Sequence, residues 1–183
     1  AEMAKSNPTS TALPGSLHAL ISARLDQLPL AQRAIIDNAA VLGASGQVES
    51  LEKFAAAMEQ DFDNSALTAL DDDGLLEIVN SKWRFRSDVV REVAYQTLTK
   101  LVRAQRHAGT AAVMRDDSRI PIDQVAHHAA RAAELVAEVG QVAGVPDDIA
   151  DRAVGLLREA AKRAMDVGAF NQARGQSSRA LDI

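Results

Sequence analysis

The sequence predicts an all-α protein, mainly helical, with one short β-hairpin. Three observations predict it. Apolar residues recur at three- and four-residue spacing along most of the chain, the pattern of amphipathic helices. The period changes to two only between residues 75 and 86. Aromatic residues make up 3% of the chain against 47% hydrophobic residues, so the core must be built from Ala, Leu, Val and Ile. Alanine, with the best helix propensity and a small side chain, suits closely packed helices.

Each element can be justified in turn. Residues 1–12 are a polar, small-residue lead-in of the linker or tag kind. Pro14-Gly15-Ser16 starts a helix carrying Leu17, Leu20, Ile21, Leu25 and Leu28. Pro29 opens the next helix, where its missing N–H costs nothing. Ile35, Ile36, Ala39 and Leu42 line that helix, and Gly43 stops it. A loop through Gly46 leads to a third helix with Leu51, Phe54 and Met58, and Asp63 caps a fourth that runs through Leu67 and Leu70 to Gly74. Residues 75–79 and 82–86 read as two strands joined by Asn80-Ser81. Trp83 and Phe85 share one face of the second strand; Lys82, Arg84 and Arg86 share the other. Ser87 or Asp88 caps a helix with Val89, Val90, Val93, Ala94 and Leu98, and the helical pattern resumes after a break near Thr99 toward Met114. Residues 122–139 form an Ala-rich helix; residues 150–167 and 170–183 form an antiparallel pair around Gly168. Helices, then a hairpin, then a helix is the order of a winged-helix domain. It is assigned to residues 13–116, with a helical array over residues 117–183. The apolar pattern runs to Ile183 with no stop signal, so the sequence predicts a piece of a longer protein.

Composition removes several classes of function. There are no cysteines, hence no disulfide framework, thiolate metal site or thiol nucleophile, and a reducing compartment is expected. No apolar run approaches the roughly 20 residues of a membrane span, so a cytoplasmic chain with no membrane partner is expected. A formal net charge of −5 gives no overall pull toward nucleic acid. No glycine-rich phosphate loop ending in Lys-Ser/Thr is present, so no ATP site is expected here. The runs Asp71-Asp72-Asp73 and Asp116-Asp117 read as solvated helix ends, because adjacent helical positions diverge rather than converge on a metal. His127 and His128 point about 100° apart on a helix and cannot share a metal; His107 and His18 stand alone in the sequence.

Three stretches carry a family resemblance: 13–17 (LPGSL) with 24–29 (RLDQLP), 40–43 (AVLG), and above all 83–95 (WRFRSDVVREVAY). Together they resemble the segment downstream of the ATPase core in bacterial STAND-type regulators, including large LuxR-type activators and ATPase-coupled class III adenylyl cyclases. The resemblance implies a winged helix leading into tetratricopeptide-like repeats. It implies a non-catalytic regulatory and interaction segment of a multidomain signalling ATPase, coupling nucleotide state or partner binding to an output domain for transcription regulation or cyclic-nucleotide synthesis. ATP and Mg²⁺ would belong to an upstream domain, with no cofactor in this segment. The partners would be that ATPase domain of the same chain and other proteins held by the repeats. Where the family usually has a nucleotide-sensing histidine this chain has Ser87, which reads as a plain N-cap. Leu157, Ala160, Ala161 and Ala164, then Gly168, Phe170, Ala173, Ala180 and Leu181, resemble the two helices of one repeat of about 34 residues. Ser177 stands where the family prefers a large aromatic.

Two surfaces are candidate sites. Lys82, Arg84 and Arg86, with Arg91, form a basic wing placed for phosphate of a neighbouring nucleotide domain or of DNA; the alternative is a solvated face over Trp83 and Phe85. DNA is disfavoured because the helix before the hairpin is bracketed by Asp61, Asp63, Asp71, Asp72 and Asp73. Lys100, Arg103 and Arg106-His107 make a second basic stripe, placed for docking an acidic surface of a neighbouring domain, with a solvated face as the alternative; separately, Phe170, Ala173, Ala180 and Leu181 form an apolar face on the last helix for protein docking. A DNA-binding winged-helix regulator and a stand-alone helical interaction scaffold remain the alternative functions.

Overall fold

The computed structural model describes residues 15–183; the linker reading at residues 1–12, and Leu13-Pro14 of the first helix start, lie outside the described residues. Among the described residues there are nine helices and one three-stranded sheet. The first unit contains α1 (Gly15–Asp26), α2 (Leu30–Leu42), β1 (Ser45–Gln47), α3 (Val48–Ala57), α4 (Asn64–Asp72), β2 (Leu76–Val79), β3 (Lys82–Phe85) and α5 (Asp88–Thr97). Local chemistry sets these boundaries. Asp63 caps α4 through its carboxylate, which accepts the Ser65 N–H at 2.8 Å. Asn80 and Ser81 both have left-handed φ values, 51° and 59°, as a tight two-residue hairpin turn requires. Trp83 and Phe85 point inward from β3, edge to face with 6.0 Å between ring centres, and join Leu67, Leu70, Leu76 and Val93 in one buried cluster.

The sheet is larger than the lone hairpin that the sequence predicts. β1 pairs antiparallel with β3, so the strand order is β1-β3-β2. Ser-Gly-Gln has no apolar alternation, and its place in the sheet follows from Trp83. The indole Nε1–H donates to the Gln47 carbonyl at 3.1 Å. A Cβ on Gly46 would lie 3.1 Å from the same ring, tighter than ordinary contact, so glycine lets the strand lie over the indole without displacing it. Ser87 also departs from expectation. It occupies the N-cap position of α5 in extended conformation, but its hydroxyl accepts no bond from the helix; its carbonyl takes the Arg91 N–H instead.

A break at Leu98 and a Thr99 side-chain cap to the Val102 N–H separate α5 from α6 (Lys100–Arg115). α7 (Ile122–Val139), α8 (Ile149–Asp166) and α9 (Phe170–Asp182) follow. α6 lies before the division near residue 116, yet its Ala104, Ala108, Ala111 and Met114 pack into the second core with Val125, Ala129, Leu135 and Leu157. The alanine stripes of α6, α7 and α8 let these helices approach closely, since the side chains at the contact set the distance between axes. In the last pair Leu157, Ala160, Ala161, Ala164 and Ala173 are buried. Among the described residues no helix is long and apolar enough to cross a membrane.

Candidate functional site

The basic wing is largely neutralised by its own neighbours. Arg84 is exposed and pairs with Glu77 on β2. Arg86 pairs with Asp71 at 3.0 Å and donates to the Leu76 carbonyl at 3.0 Å. Lys82 is exposed and, among the described residues, is the wing cation outside these pairs. Arg91 is not part of this surface. It sits on α5 and lines a cleft facing α7, because the helix that follows β3 turns its side chains away from the strand face.

The second stripe also divides. Lys100 is exposed and pairs with Glu138 of α7. Arg103 folds back, its Nε–H donating to the Leu98 carbonyl at 2.9 Å and its guanidinium 5.0 Å over the Tyr95 ring. Arg106 is no docking residue. It is 8% exposed, buried where α6 crosses α2, because α6 packs on both units and one face of it must meet the first. On α9, Phe170 and Leu181 are exposed at 64% and 86%, whereas Ala173 is buried and Ala180 half-buried. The four residues therefore occupy two faces rather than one.

What the structure builds is a polar junction between the two units. Arg106 donates to the Asn38 side-chain carbonyl and lies 4.0 Å from the Asp37 carboxylate; both partners belong to α2. Asn38 in turn donates to Gln60 at 3.1 Å. Asp37 pairs with Arg33 at 2.9 Å, and Arg33 reaches Asp26 at 3.0 Å and Thr97 at 2.9 Å. Burial pushes the Asp37 carboxyl above its usual range, with Arg33 and Arg106 opposing. Burial likewise draws the Arg106 guanidinium down, opposed by Asp37.

A second chain of bonds runs beside it. His107 of α6 and His128 of α7 meet Nδ1 to Nδ1 at 2.9 Å, so His107 does not stand alone. The Tyr95 hydroxyl lies 2.9 Å from His107 Nε2, and Arg131 Nε–H reaches the Tyr95 oxygen at 3.5 Å. Arg131 donates to Tyr95, and two proton arrangements then satisfy the ring nitrogens: Tyr95 O–H to His107 Nε2 with His107 Nδ1–H to His128 Nδ1, or His128 Nδ1–H to His107 Nδ1 with His107 Nε2–H to the Tyr95 oxygen. Both buried imidazoles are held well below their ordinary pKa, by burial first and then by charge on neighbouring histidines and arginines. His127 follows in the same direction, lowered by burial and then by Arg179, whose Nη1–H faces its Nδ1 at 3.3 Å. Arg179 of α9 also pairs with Glu134 at 2.7 Å, and Glu134 with Arg131 at 3.0 Å. Among the described residues no three His, Cys, Asp or Glu side chains converge to hold a metal ion.

These contacts surround a cleft of about 540 Å³, walled by the C-terminal end of α2 and by α5, α7 and α9. Arg91, Tyr95, His127, His128 and Arg131 line it. Arg91 Nε is buried with no hydrogen-bond partner. Comparison of the chain with family models, with curated proteins and with solved structures gives no match.

Proposed function

We propose that this chain is a regulatory coupling segment, a winged helix leading into tetratricopeptide-like hairpins, that passes the state of a neighbouring signalling ATPase domain to an output domain or partner. The order α2-β1-α3-α4-β2-β3, with strand order β1-β3-β2, supports the winged-helix reading. Two successive antiparallel pairs with small-residue seams support the repeat reading. The resemblance of residues 83–95 to the STAND family supports the ATPase context and a cytoplasmic setting.

One observation carries the coupling itself: the buried bridge from Arg106 of α6 to Asp37 and Asn38 of α2. A buried, hydrogen-bonded charge fixes one arrangement of two elements, because any other leaves the charge unpaired. Movement imposed on the winged unit is then carried into α6, and through α6 into the array. The acidic partners on the wing, Glu77 and Asp71, favour this reading over DNA binding.

The test is made on the native protein that carries this segment. Lys82→Glu combined with Arg84→Glu is expected to change its ATP turnover or nucleotide exchange at least tenfold, and Arg106→Met to break the dependence of output activity on nucleotide. A native protein with no nucleotide-binding core, or one indifferent to both changes, would overturn the proposal. The segment alone is expected to turn over no ATP, and a low-salt shift assay to show no DNA complex.

A further inference from the structure

We propose that the cleft between α5 and α7 is a binding site for a small oxyanion, a phosphate or carboxylate, gripped by Arg91 and Arg131. Both guanidiniums line the same cleft. Their relation is fixed by Tyr95. It lies one helical turn beyond Arg91 on α5, and its hydroxyl takes the bond from Arg131 of α7. A guanidinium has five N–H donors in a planar fork. Arg131 uses one on Tyr95 and one on Glu134. Among the described residues no carboxylate pairs with Arg91, and its closed-off Nε has no partner either, so the charge of its guanidinium is left for the cleft that it lines.

The rest of the lining has the same character. The neutral tautomer of His127 leaves an Nε2–H donor, since its Nδ1 accepts from Arg179. The carboxylate in the lining is Asp123, which the Gln172 amide approaches at 3.4 Å. Glu134 is shared between Arg131 and Arg179. Arg91 and Arg131 bring two positive charges to the lining, against the one carboxylate of Asp123. Oxyanions with two oxygens in one plane suit paired guanidinium N–H groups, and a pocket of this volume takes a small molecule rather than a polymer. A bound oxyanion would tie α5 of the first unit to α7 of the array. This site stands on its own geometry, whether or not an ATPase domain precedes it.

The experiment replaces sodium chloride by sodium phosphate or sodium acetate at constant ionic strength, and follows the melting temperature of the whole chain. A saturating rise with one of the two anions is expected, and the anion that produces it identifies the ligand class. Arg91→Gln is expected to weaken the apparent affinity at least tenfold, about 1.4 kcal/mol. Nitrogen-detected NMR of the unaltered protein gives a second readout, in which the His127 and His128 ring resonances shift with the same midpoint. A flat response to both anions, an equal response in Arg91→Gln, or imidazole resonances that do not move would each overturn the proposal.

Discussion

Single residues set the tightest constraints in this molecule, and the two most informative are aromatic and glycine. Phe85 is 7% exposed beside the buried Trp83, so Phe85→Ala should destabilise the chain by about 3 kcal/mol or more in a urea titration. Gly46 faces the Trp83 ring so closely that a methyl group fits only if the ring gives way. Gly46→Ala should therefore cost about 1–3 kcal/mol through overpacking, and a shift in the Trp83 fluorescence maximum of the folded protein should accompany it. Burial of Trp83 and Phe85 was legible, because a strand alternates its faces and the cations had to point the other way. The burial of Arg106 was not. Periodicity assigns a residue to a face of its own helix, but α6 is covered on two sides, by α2 and by α7, and nothing in its own sequence says so. His107 had a faint signal: Ala104, Ala108 and Ala111 flank it at helical spacing, which places it in the Ala-lined seam.

Among the elements, α6 and α7 determine how stability responds to acid. His107 and His128 are buried neutral between them, faced by Tyr95 of α5, by His127, Arg131 and Glu134 of α7, and by Arg179 of α9. Their folded pKa lies below the unfolded value of about 6.5, so the unfolded chain binds protons that the folded chain refuses. The stability they allow is present above pH about 6.5 and is lost as pH falls below it. Each such proton contributes a slope of up to about 1.4 kcal/mol per pH unit. The decline should be visible between pH 6.5 and about 5. Asp37, its carboxyl raised by burial, works in the opposite sense at lower pH. Thermal unfolding followed across this range checks the expectation, and His107→Leu should flatten the profile. Helix positions were readable from caps and periodicity, as Asp63, Thr99 and Gly168 illustrate. β1 was not readable, since three small polar residues acquire strand character only from the partner strand that Trp83 anchors.

Seen whole, the molecule ends in an apolar surface and is joined through a shared helix. Met165, Val167 and Phe170 are exposed at the α8–α9 turn, and Leu181 lies three helical turns beyond Phe170 on the same side of α9. Sedimentation should show association that rises with concentration, and Phe170→Glu with Leu181→Glu should return the chain to monomer. The change from mixed helices and strands to an Ala-rich helical run was legible in the sequence. The junction was not, because residues brought together from α2 and α6 are far apart in the chain. That junction has a consequence for how the protein melts. α6 supplies Arg106 to one unit and Ala104, Ala108 and Ala111 to the core of the other, so neither can lose its structure while the other keeps its own. Heat should then unfold all of it in a single transition, with calorimetric and van't Hoff enthalpies equal, as for one domain rather than two.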